Sequence, residues 1–174
     1  MKNNANAREE FVEHTFEPIY NEKSRILILG TLPSVKSREQ QFYYGHPQNR
    51  FWRVIAGLTG REVPVTIDEK KEILLNNGIA IWDVIKSCRI IGSSDSSIKD
   101  VTVNDIQSLL KNTNIEAVYA NGGKAYELYM KYAYSKTDAE IIKLPSTSPA
   151  NAAYSLDRLI RKWEAAINMR SWTI

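Results

Sequence analysis

The sequence predicts one α/β domain: a central four-stranded, mostly parallel sheet flanked by helices. Two observations carry this. Four short apolar runs alternate with segments whose apolar residues recur at helical spacing, and each run gives way to an unusual polar or glycine-bearing stretch. A chain of 174 residues suits a single domain with a full-sized core. The domain is therefore taken as 1–174, with 1–13 as a loose N-terminal extension.

The elements follow in order. "RILILG" (25–30) is apolar with a basic start and a glycine stop, the pattern of a buried strand. A polar loop, "TLPSVKSREQQ", comes next. "NRFWRVIAGLTG" (49–60) reads as a helix with Phe51, Trp52, Ile55 and Leu58 on one face and Gly57 or Gly60 at its end. "TIDEKKEILLNNG" (66–78) is a charged helix capped at Thr66 or Asp68, and "IAIWDV" (79–84) a second strand. "VNDIQSLLKN" (103–112) is a helix with Asn104 as its expected N-cap. "IEAVYANGG" (115–123) is a strand and glycine turn, followed by the helix "KAYELYMKYA" (124–133). "AEIIKLPSTSPAN" (139–151) is the fourth strand with its loop, and "AAYSLDRLIRKWEAAI" (152–167) closes the domain as a basic amphipathic helix.

Composition narrows the function. No apolar run is long enough to cross a bilayer, so no membrane role is expected. One cysteine, Cys88, excludes an internal disulfide and fits a reducing, cytoplasmic setting. As a lone cysteine it reads as a buried apolar residue before a nucleophile. With only His14 and His46 beside it there is no metal-ligand cluster, and no metal or other cofactor is expected. A net charge of +3 permits a polyanionic partner without requiring one.

In open parallel sheets ligands bind beyond the carboxyl ends of the strands, which is where the chain's odd polar stretches fall (30–49, 83–97, 121–124 and 145–151). In "GTLPS" (30–34), Gly30 lets backbone approach a ligand, and Ser34 and Ser37 can donate to phosphate oxygens; taken alone, a plain turn is the better reading. "FYYGHPQNRFW" (42–52) crowds five rings around polar groups, as a pocket for an unstacked nucleobase would. Phe51 and Trp52 fit the core by spacing, whereas Tyr43 and Tyr44 are adjacent and cannot both face it in extended chain. Asn49, read on its own, is a helix cap. Asp83 ends an apolar strand and needs donors, from a base edge, a helix N-terminus or Arg89. "LPSTSPAN" (144–151) is either a simple loop capped by Ser146 or Ser148, or a rigid loop pressed on a phosphate backbone.

Together these stretches resemble the uracil-DNA glycosylase superfamily over about residues 14–167, and most closely its hypoxanthine-DNA glycosylase branch. "ILGTLPSVKSREQQFYYGHPQNRFW" (28–52) and "LPSTSPANAAYSLDRL" (144–159) carry the likeness. It implies a uracil-DNA-glycosylase-like fold and an enzyme that flips a deaminated base from double-stranded DNA and hydrolyses its glycosidic bond without a metal. By this resemblance Gly30 and Leu32 lie in the loop that contacts water and phosphate and are themselves base-binding, and Tyr44 stacks on the flipped base. Asp83 occupies the base-reading slot. Ser34, Lys36, Ser37, Ser146, Ser148 and Asn151 face the DNA backbone. Leu32 stands where mismatch-specific relatives carry a catalytic asparagine; the hypoxanthine branch lacks that group too and relies on the asparagine matching Asn49. The resemblance thus turns Asn49 from cap to catalyst, orienting water through its carbonyl oxygen, with His46 on the leaving base or a phosphate. A monomer is expected. The rival readings are a non-catalytic nucleic-acid or nucleotide-binding module of the same fold and a hydrolase of free nucleosides.

Overall fold

The computed structural model describes residues 8–168. Strands are β1 (Glu9–Glu13), β2 (Ile26–Gly30), β3 (Ile79–Asp83), β4 (Ile85–Ile91), β5 (Lys99–Val103), β6 (Ala117–Asn121) and β7 (Ile141–Leu144). Helices are α1 (Val35–Gln40), α2 (Phe51–Thr59), α3 (Ile67–Leu75), α4 (Ile106–Lys111), α5 (Gly123–Tyr132), α6 (Tyr134–Thr137) and α7 (Leu156–Ile167).

The central sheet has the order β3-β2-β6-β7, and every pairing in it is parallel. β2 lies at its heart with all five residues buried, which explains its unbroken apolar run. Successive side chains leave a strand on opposite faces. Ile26 and Ile28 accordingly join a layer with Phe51, Trp52, Ile55, Leu159 and Trp163 from α2 and α7. Leu27 and Leu29 face the other way, toward Ala125, Leu128 and Tyr129 of α5 and Ile106 of α4. Cys88 sits fully buried in this second layer, where burial pushes its thiol up, so it serves as a core residue.

A second, antiparallel sheet, β1-β4-β5, was not foreseen from the sequence. β4 runs through the stretch read as loop, and β1 takes residues 9–13 of the supposed loose extension. Residues 1–7 of that extension lie outside the described residues. The first polar loop also contains a short helix, α1, begun by Ser34, whose hydroxyl accepts from the Ser37 N–H. Gly60 ends α2 with φ +65°, and Thr66 caps α3 in a reciprocal box with Glu69. Asn104 is not the cap of α4. Asp105 is, and Asn104 is buried, donating to the carbonyls of Asp83 and Ile85 across the start of β4.

Candidate active site

Parallel register brings the strand ends level. Gly30 pairs with Asp83, and Asn121 with Leu144, so four strands deliver their last residues to one edge of the sheet. Beyond that edge lies a cleft of about 1120 Å³. Gly30, Leu32, Ser34, Ser37, Tyr44, His46, Asn49, Asp83, Ser146, Ser148 and Asn151 all line it, residues brought together from loops more than a hundred positions apart.

Asp83 is buried, and its Oδ2 accepts from His14 Nε2 at 2.9 Å. His14, the residue directly after β1, has a side chain only 1% exposed and packs on Phe16 and Tyr43. This corrects the expected source of donors: Arg89 pairs with Asp100 instead. The second carboxylate oxygen, Oδ1, lies over Gly30, where a Cβ would come within 2.3 Å of it and within 3.0 Å of the Tyr44 hydroxyl. Glycine is needed here to admit the protein's own carboxylate, a different use from the close ligand approach read from the sequence.

Tyr44 has φ +52°, a conformation rare for a bulky residue. One ring face stacks on Phe51 with centroids 3.8 Å apart, and the residue also lines the cleft. Among the described residues its buried hydroxyl has no partner at full hydrogen-bond geometry; burial and the Asp83 charge push its ionisation far up, against a smaller opposing effect of the Asn121 side chain, so it stays neutral. Nδ1 of His46 accepts from the Gln48 N–H, which places the proton of the neutral ring on Nε2.

Asn49 departs from the expectation. Its Oδ1 accepts from the Phe51 N–H at 2.9 Å and from the Thr147 hydroxyl at 2.8 Å. Because a backbone N–H can only donate, the atom facing it must be oxygen, and two donors fill that oxygen's lone pairs. The carbonyl read as the water-orienting group is therefore occupied. The Nδ2 amide, with two N–H donors, is the group left for a ligand. Asn49 also caps after all, from the position before the α2 N-cap residue, Arg50.

The phosphate-facing set divides. Ser37 is buried and its Oγ accepts from the Gly45 N–H, so it shapes the "FYYGH" loop. Lys36 is exposed on α1, paired with Glu39 and absent from the cleft wall; Arg38, whose buried Nε has no partner among the described residues, lines the cleft in its place. Within 145–151, Ser146 Oγ accepts from Ser148 N–H, Ser148 Oγ from Ala150 N–H, and Asn151 Nδ2 donates to the Ser146 carbonyl. Among the described residues the Ser146 and Ser148 hydroxyl protons have no acceptor and can donate outward.

Sequence reading missed His14, Asn121, Thr147 and Arg38. Thr147 is fully buried and exchanges two hydrogen bonds with Asn121 while holding Asn49. A polar residue closing an apolar strand, as Asn121 does, was the available signal.

A family model described as the uracil DNA glycosylase superfamily matches residues 17–168. The chain belongs to the uracil DNA glycosylase superfamily. Among its relatives is a protein of Methanosarcina acetivorans named hypoxanthine DNA glycosylase, 37% identical over 158 residues, covering 88% of this chain and 97% of the relative. One of the same name from Methanosarcina barkeri is 38% identical over 115 residues, 64% of this chain and 72% of the relative. A solution NMR structure from Methanosarcina acetivorans, described as a candidate uracil DNA glycosylase, superposes with a TM-score of 0.76 at 36% identity, over 90% of this chain and 96% of that one. The superfamily fold therefore accounts for the central sheet and the cleft at its end.

Proposed function

We propose that this superfamily member is a DNA glycosylase that takes a deaminated base, hypoxanthine or uracil, out of double-stranded DNA and hydrolyses its N-glycosidic bond, leaving an abasic site. The observation that carries this is the Asn49 amide: it lines the cleft with its oxygen pinned by two donors, so its N–H groups are preorganised rather than free to turn.

Scission of the glycosidic bond leaves an oxocarbenium-like sugar and pushes negative charge onto the base. One Asn49 N–H donates to the oxygen of a water whose other lone pair captures the sugar cation, and the proton that water then loses passes to the departing base anion. His46 Nε2–H donates to the departing base, and Tyr44 stacks on it. Asp83 Oδ1 accepts the N–H that hypoxanthine and uracil both present beside a carbonyl. Ser146, Ser148 and Arg38 meet phosphates around the cleft, whereas the Ser34 hydroxyl donates to Ser37 Oγ. A monomer acting in the cytoplasm completes the reading, since a duplex must reach the sheet edge freely.

The second reading, a binding module, is favoured by Leu32 alone, an apolar residue at the slot where some relatives carry a catalytic amide. Labelled duplexes containing hypoxanthine or uracil, treated with the protein and then alkali, separate the two. Cleavage at the lesion is expected; retarded mobility without cleavage would establish the binder. In a folded Asn49→Ala protein that still binds lesion DNA, single-turnover excision should fall about 10²–10³-fold, the usual cost of one preorganised polar group. Were Asn49 a cap only, the variant would lose about 1 kcal/mol of stability and cut near the wild-type rate.

A further inference from the structure

We infer that Arg50 is a positioning residue, which holds the 145–154 loop and through Thr147 aims the Asn49 amide into the cleft. Arg50 directly follows Asn49 in the chain, and the two grip the same loop from different sides. The Arg50 guanidinium donates through one terminal nitrogen to the Tyr154 carbonyl, and through the other to the carbonyls of Ser148 at 2.9 Å and Asn151 at 3.0 Å. Its own N–H donates to the Thr147 carbonyl at 3.0 Å. Asn49 in turn receives the Thr147 hydroxyl.

The loop's turns do not need the guanidinium, since Ser146, Ser148 and Asn151 close them internally. Thr147 itself is also held by Asn121 and by the Arg50 N–H, so what the guanidinium adds is the attachment of residues 148–154, on the far side of Thr147, to the start of α2. That attachment is costly: among the described residues no carboxylate pairs with Arg50, and its Nε is buried without a partner. The cost has a use. If the loop slides, the Thr147 hydroxyl leaves Asn49, whose oxygen then keeps only the Phe51 N–H, and the catalytic amide can swing. Lysine is a poor substitute, because a single ammonium point cannot reproduce a planar fork with two nitrogens on separate carbonyls.

The inference rests on the glycosylase reading, so the test uses two readouts. The first compares single-turnover excision of hypoxanthine with affinity for a duplex carrying an abasic-site analogue. Arg50→Lys and Thr147→Val should each slow excision by up to on the order of 10²-fold, as small misplacements of reacting groups do, with affinity nearly unchanged. The double variant should be no slower than the worse single one, because both act through one path. The second readout is the Asn49 side-chain NH₂ signal in NMR, which both substitutions should move. Excision near the wild-type rate in folded Arg50→Lys, or effects that multiply in the double variant, would overturn the inference and leave Arg50 a scaffold residue. Should Arg50→Ala fail to fold, the Lys and Val variants still decide. If the wild-type protein cuts no lesion, the glycosylase reading falls; an Asn49 signal unmoved in both variants then overturns the positioning role as well.

Discussion

Asp83 presents two oxygens with different fates, one bound to His14 and one facing the gap over Gly30. Replacing it by Asn exchanges an acceptor for a donor at the atom over Gly30, provided the His14 proton keeps the amide oxygen. A cleft that read N–H would then read a carbonyl. Asp83→Asn is expected to change the ratio of hypoxanthine to uracil excision rather than to abolish cutting, measured by single-turnover rates on the two duplexes. An unaltered ratio in a folded variant would remove Asp83 from base reading. The residue itself was legible, as a carboxylate ending an apolar strand. Its partner was not, because His14 lies 69 positions away and reaches it only when the segment after β1 packs beside β3.

Among the elements, α3 shows how short-range chemistry sets a boundary. The Thr66 hydroxyl accepts from the Glu69 N–H, and the Glu69 carboxylate accepts from the N–H groups of Thr66 and Val65. Those two bonds hold the Glu69 carboxyl below its usual range. A depressed folded-state value means the contribution is present above the ordinary carboxylate range and is lost as pH falls through the lowered value. Thr66→Ala should cost about 1 kcal/mol, read as a lower melting temperature at neutral pH. Glu69→Gln should show a smaller loss of melting temperature than wild type between about pH 6 and pH 3. An equal acid loss in both proteins would show that the box contributes nothing through its charge. Thr66 was one of two caps the sequence offered, and the structure chose it because Glu69 stands three positions on.

For the whole molecule, a small net charge must act through where its cations lie. Arg38, Lys124 and Lys143 line the cleft, whereas Lys36 pairs with Glu39 away from it. Each cation that neutralises a phosphate contributes about 0.9 to the log–log salt slope of binding. Arg38→Ala and Lys124→Ala should each lower the slope by about that amount, and Lys36→Ala should leave it unchanged. Titrations of duplex DNA at several salt concentrations test this; a lowered slope in Lys36→Ala together with an unchanged one in Arg38→Ala would reverse the assignment of the DNA-facing surface.

The sequence by itself determined the parallel sheet, the helix stops, and the loops that converge at its edge. Apolar period, glycine stops and hydroxyl caps act within a turn or a strand, so a single chain displays them. It also determined the family, because the motifs "GTLPS", "HPQNRFW" and "PSTSPAN" lie in order after their strands. Only the tertiary structure decided the antiparallel sheet, since β1 and β4 are joined across most of the first half of the chain and the β4–β5 pairing shifts register along its length. Only it decided that the oxygen of Asn49 is bound within the protein. That choice depends on a threonine 98 positions later, and a hydrogen bond spanning such a distance exists only once the core has brought both loops to one edge.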